Sequence, residues 1–102
     1  MYVTVASVGE GRGIADAVVG ERLAACVTLL EGAESVYWWD GEIQHDREVI
    51  LLIKTARRLF APLLERVRSL HSYRCPCVCA TEIAEVNGEY GAWVEETVRK
   101  TP

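Results

Sequence analysis

The stretch from Ser35 to Thr55, SVYWWDGEIQHDREVILLIKT, decides the fold. Two apolar and aromatic segments, Val36 to Trp39 and Val49 to Ile53, flank Asp40-Gly41. Asp-Gly is a strong turn signal, because both residues tolerate the positive φ angles that a tight hairpin turn demands. The stretch therefore predicts a β-hairpin in which Val49-Ile50-Leu51-Leu52-Ile53 folds back against Tyr37, Trp38 and Trp39. Apolar residues at both parities of the second strand imply that both its faces are covered. A chain of 102 residues has few helices for that, so part of the cover is expected from another subunit.

Working outward, Tyr2 to Val8 alternates as a strand should. Gly9-Glu10-Gly11-Arg12-Gly13 reads as a loop, and a helix is expected from about Ile14 to Ala24, with Ile14, Ala17, Val18 and Glu21 on one side. A strand over Cys26 to Leu30 is interrupted near Glu31-Gly32 and resumes through Val36 to Trp39, and the interior glycine suggests a bulge. After the hairpin, Ala56 to His71 reads as a helix buried along Leu59, Leu63, Val67 and Leu70. Its regular part is placed near Leu59 to Ala61 onward, because Pro62 is tolerated only in a first turn. Cys77 to Ala84 is expected as a fourth strand. A last helix capped by Asn87 would bury Tyr90, Trp93, Val94, Thr97 and Val98. The order is βαββαβα: a four-stranded sheet of two split βαβ units with helices on one face, the α+β ferredoxin-like sandwich, in a single domain over residues 1–102.

Composition narrows the function. Half of the residues are hydrophobic, too many for a disordered chain. A net charge of −4 argues against nonspecific binding to nucleic acid or anionic membranes. No apolar run reaches transmembrane length and no secretory leader is evident, so a cytoplasmic protein is expected. Its four cysteines then read as thiols rather than a disulfide framework. Gly9 to Gly13 lacks the spacing of a phosphate-binding fingerprint. No nucleophile-base-acid order or metalloprotease motif is present, so an enzyme is not expected, nor an organic cofactor.

Glu21-Arg22-Leu23-Ala24-Ala25-Cys26-Val27 is followed in order by Ser35, Tyr37, Trp39, Gly41, Ile43, Glu48, Lys54-Thr55, His71, Tyr73, Pro76, Asn87, Tyr90 and Trp93. In this order and spacing the chain resembles the CutA divalent-cation tolerance proteins from its first strand to its last helix. The resemblance implies a cytosolic homotrimer joined through long hairpins, similar in architecture to the PII signalling proteins, and a link to copper tolerance and divalent-metal binding. The sequence departs from that family's pattern at Ser72, where proline is common, and at Cys77, where a glutamate is common. Cys75 and Cys79 stand where aliphatic residues are usual.

The candidate metal ligands are His71 and Cys77, followed by Cys26, Cys75 and Cys79. On one strand, Cys75, Cys77 and Cys79 would share a face with neighbouring Cα atoms ~6.6 Å apart, too far for a regular tetrahedral zinc site but open to a soft ion such as Cu(I). The competing reading makes the cysteines small core residues and His71 a helix-end residue. Tyr37, Trp39, Glu48, Lys54 and Tyr73 are the pocket candidates implied by the resemblance, and such aromatics also suit a subunit interface. Two rivals to a copper-binding trimer remain open: a PII-like module that takes a small anionic ligand and regulates an unknown protein partner, and a rigid structural trimer.

Overall fold

The computed structural model covers residues 1–102. Four strands, β1 (Tyr2–Val5), β2 (Cys26–Trp39), β3 (Glu42–Lys54) and β4 (Val78–Cys79), form one sheet in the order β2-β3-β1-β4. Every neighbouring pair is antiparallel. β1 thus runs parallel to β2 with β3 between them, and β3 parallel to β4 with β1 between them: the two interleaved βαβ units that the sequence predicts. Helices α1 (Val8–Gly20), α2 (Phe60–Leu70, entered through a 3₁₀ turn at Arg57–Leu59) and α3 (Gly88–Thr97) complete the chain.

Asp40 and Gly41 carry φ angles of 56° and 76°, a two-residue turn with both central residues left-handed. The turn sets the register, and the register corrects the expected pairing. Trp39 lies opposite Glu42, Trp38 opposite Ile43 and Tyr37 opposite Gln44, whereas Val49 to Leu52 lie opposite β1, with Ile50 to Ile53 opposite Val27 to Leu30 on the other side. The ladder slips between Leu30 and Ala33, and Gly32 has φ +84°, so the predicted bulge is present.

Alternation along β3 divides the sheet. Val49, Leu51 and Ile53 face α1 and α2, and with Val3, Val5, Ile14, Val18, Leu63 and Val67 they build the core. Ile50 and Leu52 face away, where no helix covers them, and Leu52 is exposed. The chain alone covers one face of β3. Arms of 14 and 13 residues also carry the hairpin beyond the helices, giving the molecule extents of 44 × 27 × 22 Å.

Four elements differ from expectation. Helix α1 begins at Val8, so Gly9 to Gly13 is helical rather than a loop. Ser7 caps it by accepting from the Glu10 N–H, while Glu10 accepts from the Ala6 N–H, close to the reciprocal arrangement of a capping box. The early start places Gly11 against the sheet. β1 is shortened accordingly. β4 spans two residues rather than Cys77 to Ala84, because Cys79 already faces Tyr2 and no strand residue lies opposite Thr81 to Ala84. Helix α3 buries none of its residues; it is tied down by Val98 against Ala25, Ala56 and Leu59, and by Arg22 and Arg58 donating to Thr97 and Glu95.

A Cβ at Gly11 would meet Leu51, Leu29 and Val5 at 3.1–3.2 Å, whereas one at Gly13 would meet nothing within 4 Å. Gly11→Val is therefore expected to lower unfolding free energy by ~1–3 kcal/mol through overpacking. Gly13→Ala should raise it by about 0.5–1 kcal/mol through helix propensity. Urea denaturation of both variants at one protein concentration checks the pair.

Candidate functional site

The loop from His71 to Cys77 leaves the end of α2 and crosses the end of β1 to reach β4. His71 anchors it. The imidazole side chain is fully buried. Its Nδ1 accepts the Tyr73 N–H at 3.0 Å, so Nε2 carries the proton and donates to the Thr4 carbonyl at 2.7 Å. Both ring nitrogens are thus occupied, and ligating a metal would require breaking one of these bonds.

Glu10, from the first turn of α1, accepts the Ser72 N–H at 2.6 Å and stands 3.9 Å from His71 Nδ1. Burial acts to raise its pKa, but the hydrogen bonds from Ser72 and Ala6 outweigh it and hold the carboxyl below its usual range. Tyr73 reaches to the other side of the sheet, where its hydroxyl donates to Glu48 at 2.9 Å. Glu48 is only 9% exposed. Burial, and then the Glu48 carboxylate, push the Tyr73 phenol far above its usual range, so it stays a donor.

The four strand residues among the pocket candidates face the same uncovered side of the sheet, but they are spread along it. Tyr37 donates to Asp46, in the hairpin arms. Trp39 lies at the hairpin tip, exposed. Lys54, at the far end of β3, donates to Thr28 Oγ1 at 2.7 Å and to the Leu52 carbonyl. Six residues separate Glu48 from Lys54, about 20 Å along a strand. Of the five, only Glu48 and Tyr73 meet.

The cysteines divide likewise. Cys77 and Cys79 are neighbours on the uncovered face; burial, Cys79 and Glu48, in that order, push the Cys77 thiol up. Cys75 lies before the strand begins and lines a cleft with Leu64 and Arg68 of α2, so the three thiols do not share a strand face. Cys26, on β2, lies near the Tyr90 hydroxyl of α3, whose pKa is raised by burial and then by this thiol. No group of three His, Cys, Asp or Glu side chains is placed to hold a metal ion within the chain. Glu10, Asp46 and Thr28 were not singled out from sequence. Glu10 alone had a readable signal, its place three residues after Ser7.

The CutA1 divalent ion tolerance protein family model matches residues 1–97. The chain belongs to this family. It is 48% identical over 96 residues to the divalent-cation tolerance protein CutA of Thermus thermophilus, across 94% of this chain and 93% of that protein. The solved structure of a Thermus thermophilus divalent cation tolerance protein superimposes with a TM-score of 0.94 over 96% of this chain and 95% of that one. The chloroplastic protein CutA 1 of Oryza sativa is 41% identical across 99% of this chain, which spans only 57% of the rice protein. The rice crystal structure gives a TM-score of 0.95, covering 98% of this chain and 92% of that one. A CutA from Archaeoglobus fulgidus, described as periplasmic, matches at 36% identity with a TM-score of 0.93 over 96% and 95% of the two chains. CutA structures thus share this four-stranded antiparallel sheet with its helices.

A carboxyl whose pKa is lower folded than unfolded contributes stability in full above the unfolded value, and loses it as pH falls through the folded one. Glu10 has an ordinary pKa of 4.5 and is lowered in the fold. The difference in thermal midpoint between wild type and Glu10→Gln should therefore be constant from pH 7 to 5 and shrink below 4.5. A difference that persists unchanged at pH 3 would contradict the role assigned to Glu10.

Proposed function

We propose that this chain works as a homotrimeric metal-tolerance protein, joined through the β2–β3 hairpins, that binds copper or another thiophilic ion in the cytoplasm and catalyses no reaction. The observation that supports it is the uncovered sheet face and overhanging hairpin. Tyr2, Leu30 and Leu52 are exposed on that face, and Val36, Ile43 and Trp38 on the hairpin, Trp38 at 71%. Apolar surface of this extent, continuous with an unpaired strand edge, favours association. Membership of the tolerance family supports the metal reading. The reading calls for neither nucleic acid nor membrane.

A hard divalent ion needs several oxygen ligands and structural zinc needs four donors. One chain offers neither set. Its best donor pair is Cys77 with Cys79, and thiolates prefer soft ions. In the proposal these two thiols hold the metal, His71 does not, and any further donor comes from another copy.

Light scattering should give the mass of three chains for the wild type and of one chain for the double variant Val36→Asp, Trp38→Asp. Titration of the reduced protein with Cu(I) against a chromophoric competitor should show binding that is lost in Cys77→Ala and in Cys79→Ala but kept in Cys26→Ala and Cys75→Ala. A monomeric wild type would sink the assembly, and Cu(I) binding indifferent to Cys77 and Cys79 would sink the metal site.

A further inference from the structure

A cleft of about 210 Å³ opens at the sheet edge between α2 and the loop leading to β4, lined by Leu64, Arg68, Arg74, Cys75, Pro76 and Val78. Neither guanidinium is engaged: the ion pairs of the molecule use Arg57, Arg58, Arg66 and His71, and no side-chain hydrogen bond involves Arg68 or Arg74. Two uncompensated positive charges around one concavity are unusual in a chain of net charge −4. The Cys75 thiol, free and exposed, shares the cleft with them.

These groups have complementary chemistry. A guanidinium offers a planar fork of donors that matches a carboxylate, and a thiolate is a sulfur nucleophile. Leu64, Pro76 and Val78 supply an apolar floor. The volume is below that of a site enclosing a drug-sized molecule, so it would seat one arm of a flexible ligand. A small disulfide bearing several carboxylates meets all of these conditions at once.

We propose that this cleft is an S-thiolation site, at which Cys75 takes a glutathionyl group from oxidised glutathione while Arg68 and Arg74 hold the peptide's carboxylates. The reaction is thiol–disulfide exchange. The Cys75 thiolate attacks one sulfur of the disulfide. A new S–S bond forms to Sγ as the old one breaks, and the second glutathione leaves as a thiolate that takes a proton from solvent. Cys75 is oxidised, the departing glutathione is reduced, and no further oxidant enters. The site is separate from the Cys77–Cys79 pair, so it stands or falls independently of the metal reading.

The chain contains its own controls, because Cys77 and Cys79 are also exposed but do not line the cleft with the two arginines. The reduced protein is incubated with oxidised glutathione or with neutral hydroxyethyl disulfide, and each cysteine is followed by peptide mapping and mass spectrometry. With oxidised glutathione, Cys75 should react about tenfold or more faster than Cys77 or Cys79, the scale of electrostatic steering at a charged cleft. The preference should vanish with the neutral disulfide and weaken in high salt. Arg68→Gln combined with Arg74→Gln should lower the Cys75 rate by a similar factor and leave the Cys79 rate unmoved, which also reports that the fold is intact. Equal rates at the three cysteines, or a Cys75 rate indifferent to the arginine changes, would overturn the proposal.

Discussion

The register of the β2–β3 hairpin is the constraint on which the rest depends. Side chains alternate along a strand, so a slip of one residue would exchange the two faces of the sheet. The left-handed turn at Asp40-Gly41 forbids the slip by opposing Trp39 to Glu42. From that pairing it follows that Val49, Leu51 and Ile53 enter the core, and that Glu48, Ile50, Leu52 and Lys54 face the uncovered side. The bulge at Gly32 absorbs the mismatch between two long arms without altering that division.

The loop after α2 depends on this arrangement. The buried Glu48 accepts from the Tyr73 hydroxyl, and Tyr73 is held in place by its own N–H on the His71 ring. Two carboxylates, Glu10 and Glu48, thus flank one loop from opposite sides of the sheet, each satisfied by groups of that loop. Of the positions tied to the CutA pattern, His71, Tyr73 and Glu48 hold the loop. The cysteines that depart from the pattern are left accessible, Cys75 on the helical side of the edge and Cys77 with Cys79 on the other.

The fold was legible because its signals are local: Asp40-Gly41 for the turn, Gly32 for the bulge, and Leu59, Leu63 and Val67 for the buried stripe of α2, which stops short of the exposed Leu70. The errors have physical reasons as well. The three glycines from Gly9 to Gly13 outweighed Ser7 and Glu10 in the reading, yet the cap satisfies orphan N–H groups and Gly11 is needed where the helix touches Leu51. Val49 to Ile53 was matched to the aromatics by composition, whereas a two-residue turn allows only residues equidistant from it to pair. Cys75, Cys77 and Cys79 looked like one strand face because alternation assumes a strand, and the strand starts only at Val78.

The sequence by itself determined the family, the order of elements and the place of the hairpin turn and bulge, because turn chemistry and hydrophobic period act over a few residues. Tertiary structure decided which distant groups come together: Glu10 bonds Ser72, Glu48 bonds Tyr73, and Arg68 lines one cleft with Arg74 and Cys75. Those contacts join residues from different elements, or set the side on which a loop side chain emerges. No periodicity within one segment encodes them; they follow from how the helices and the loop lie on the sheet.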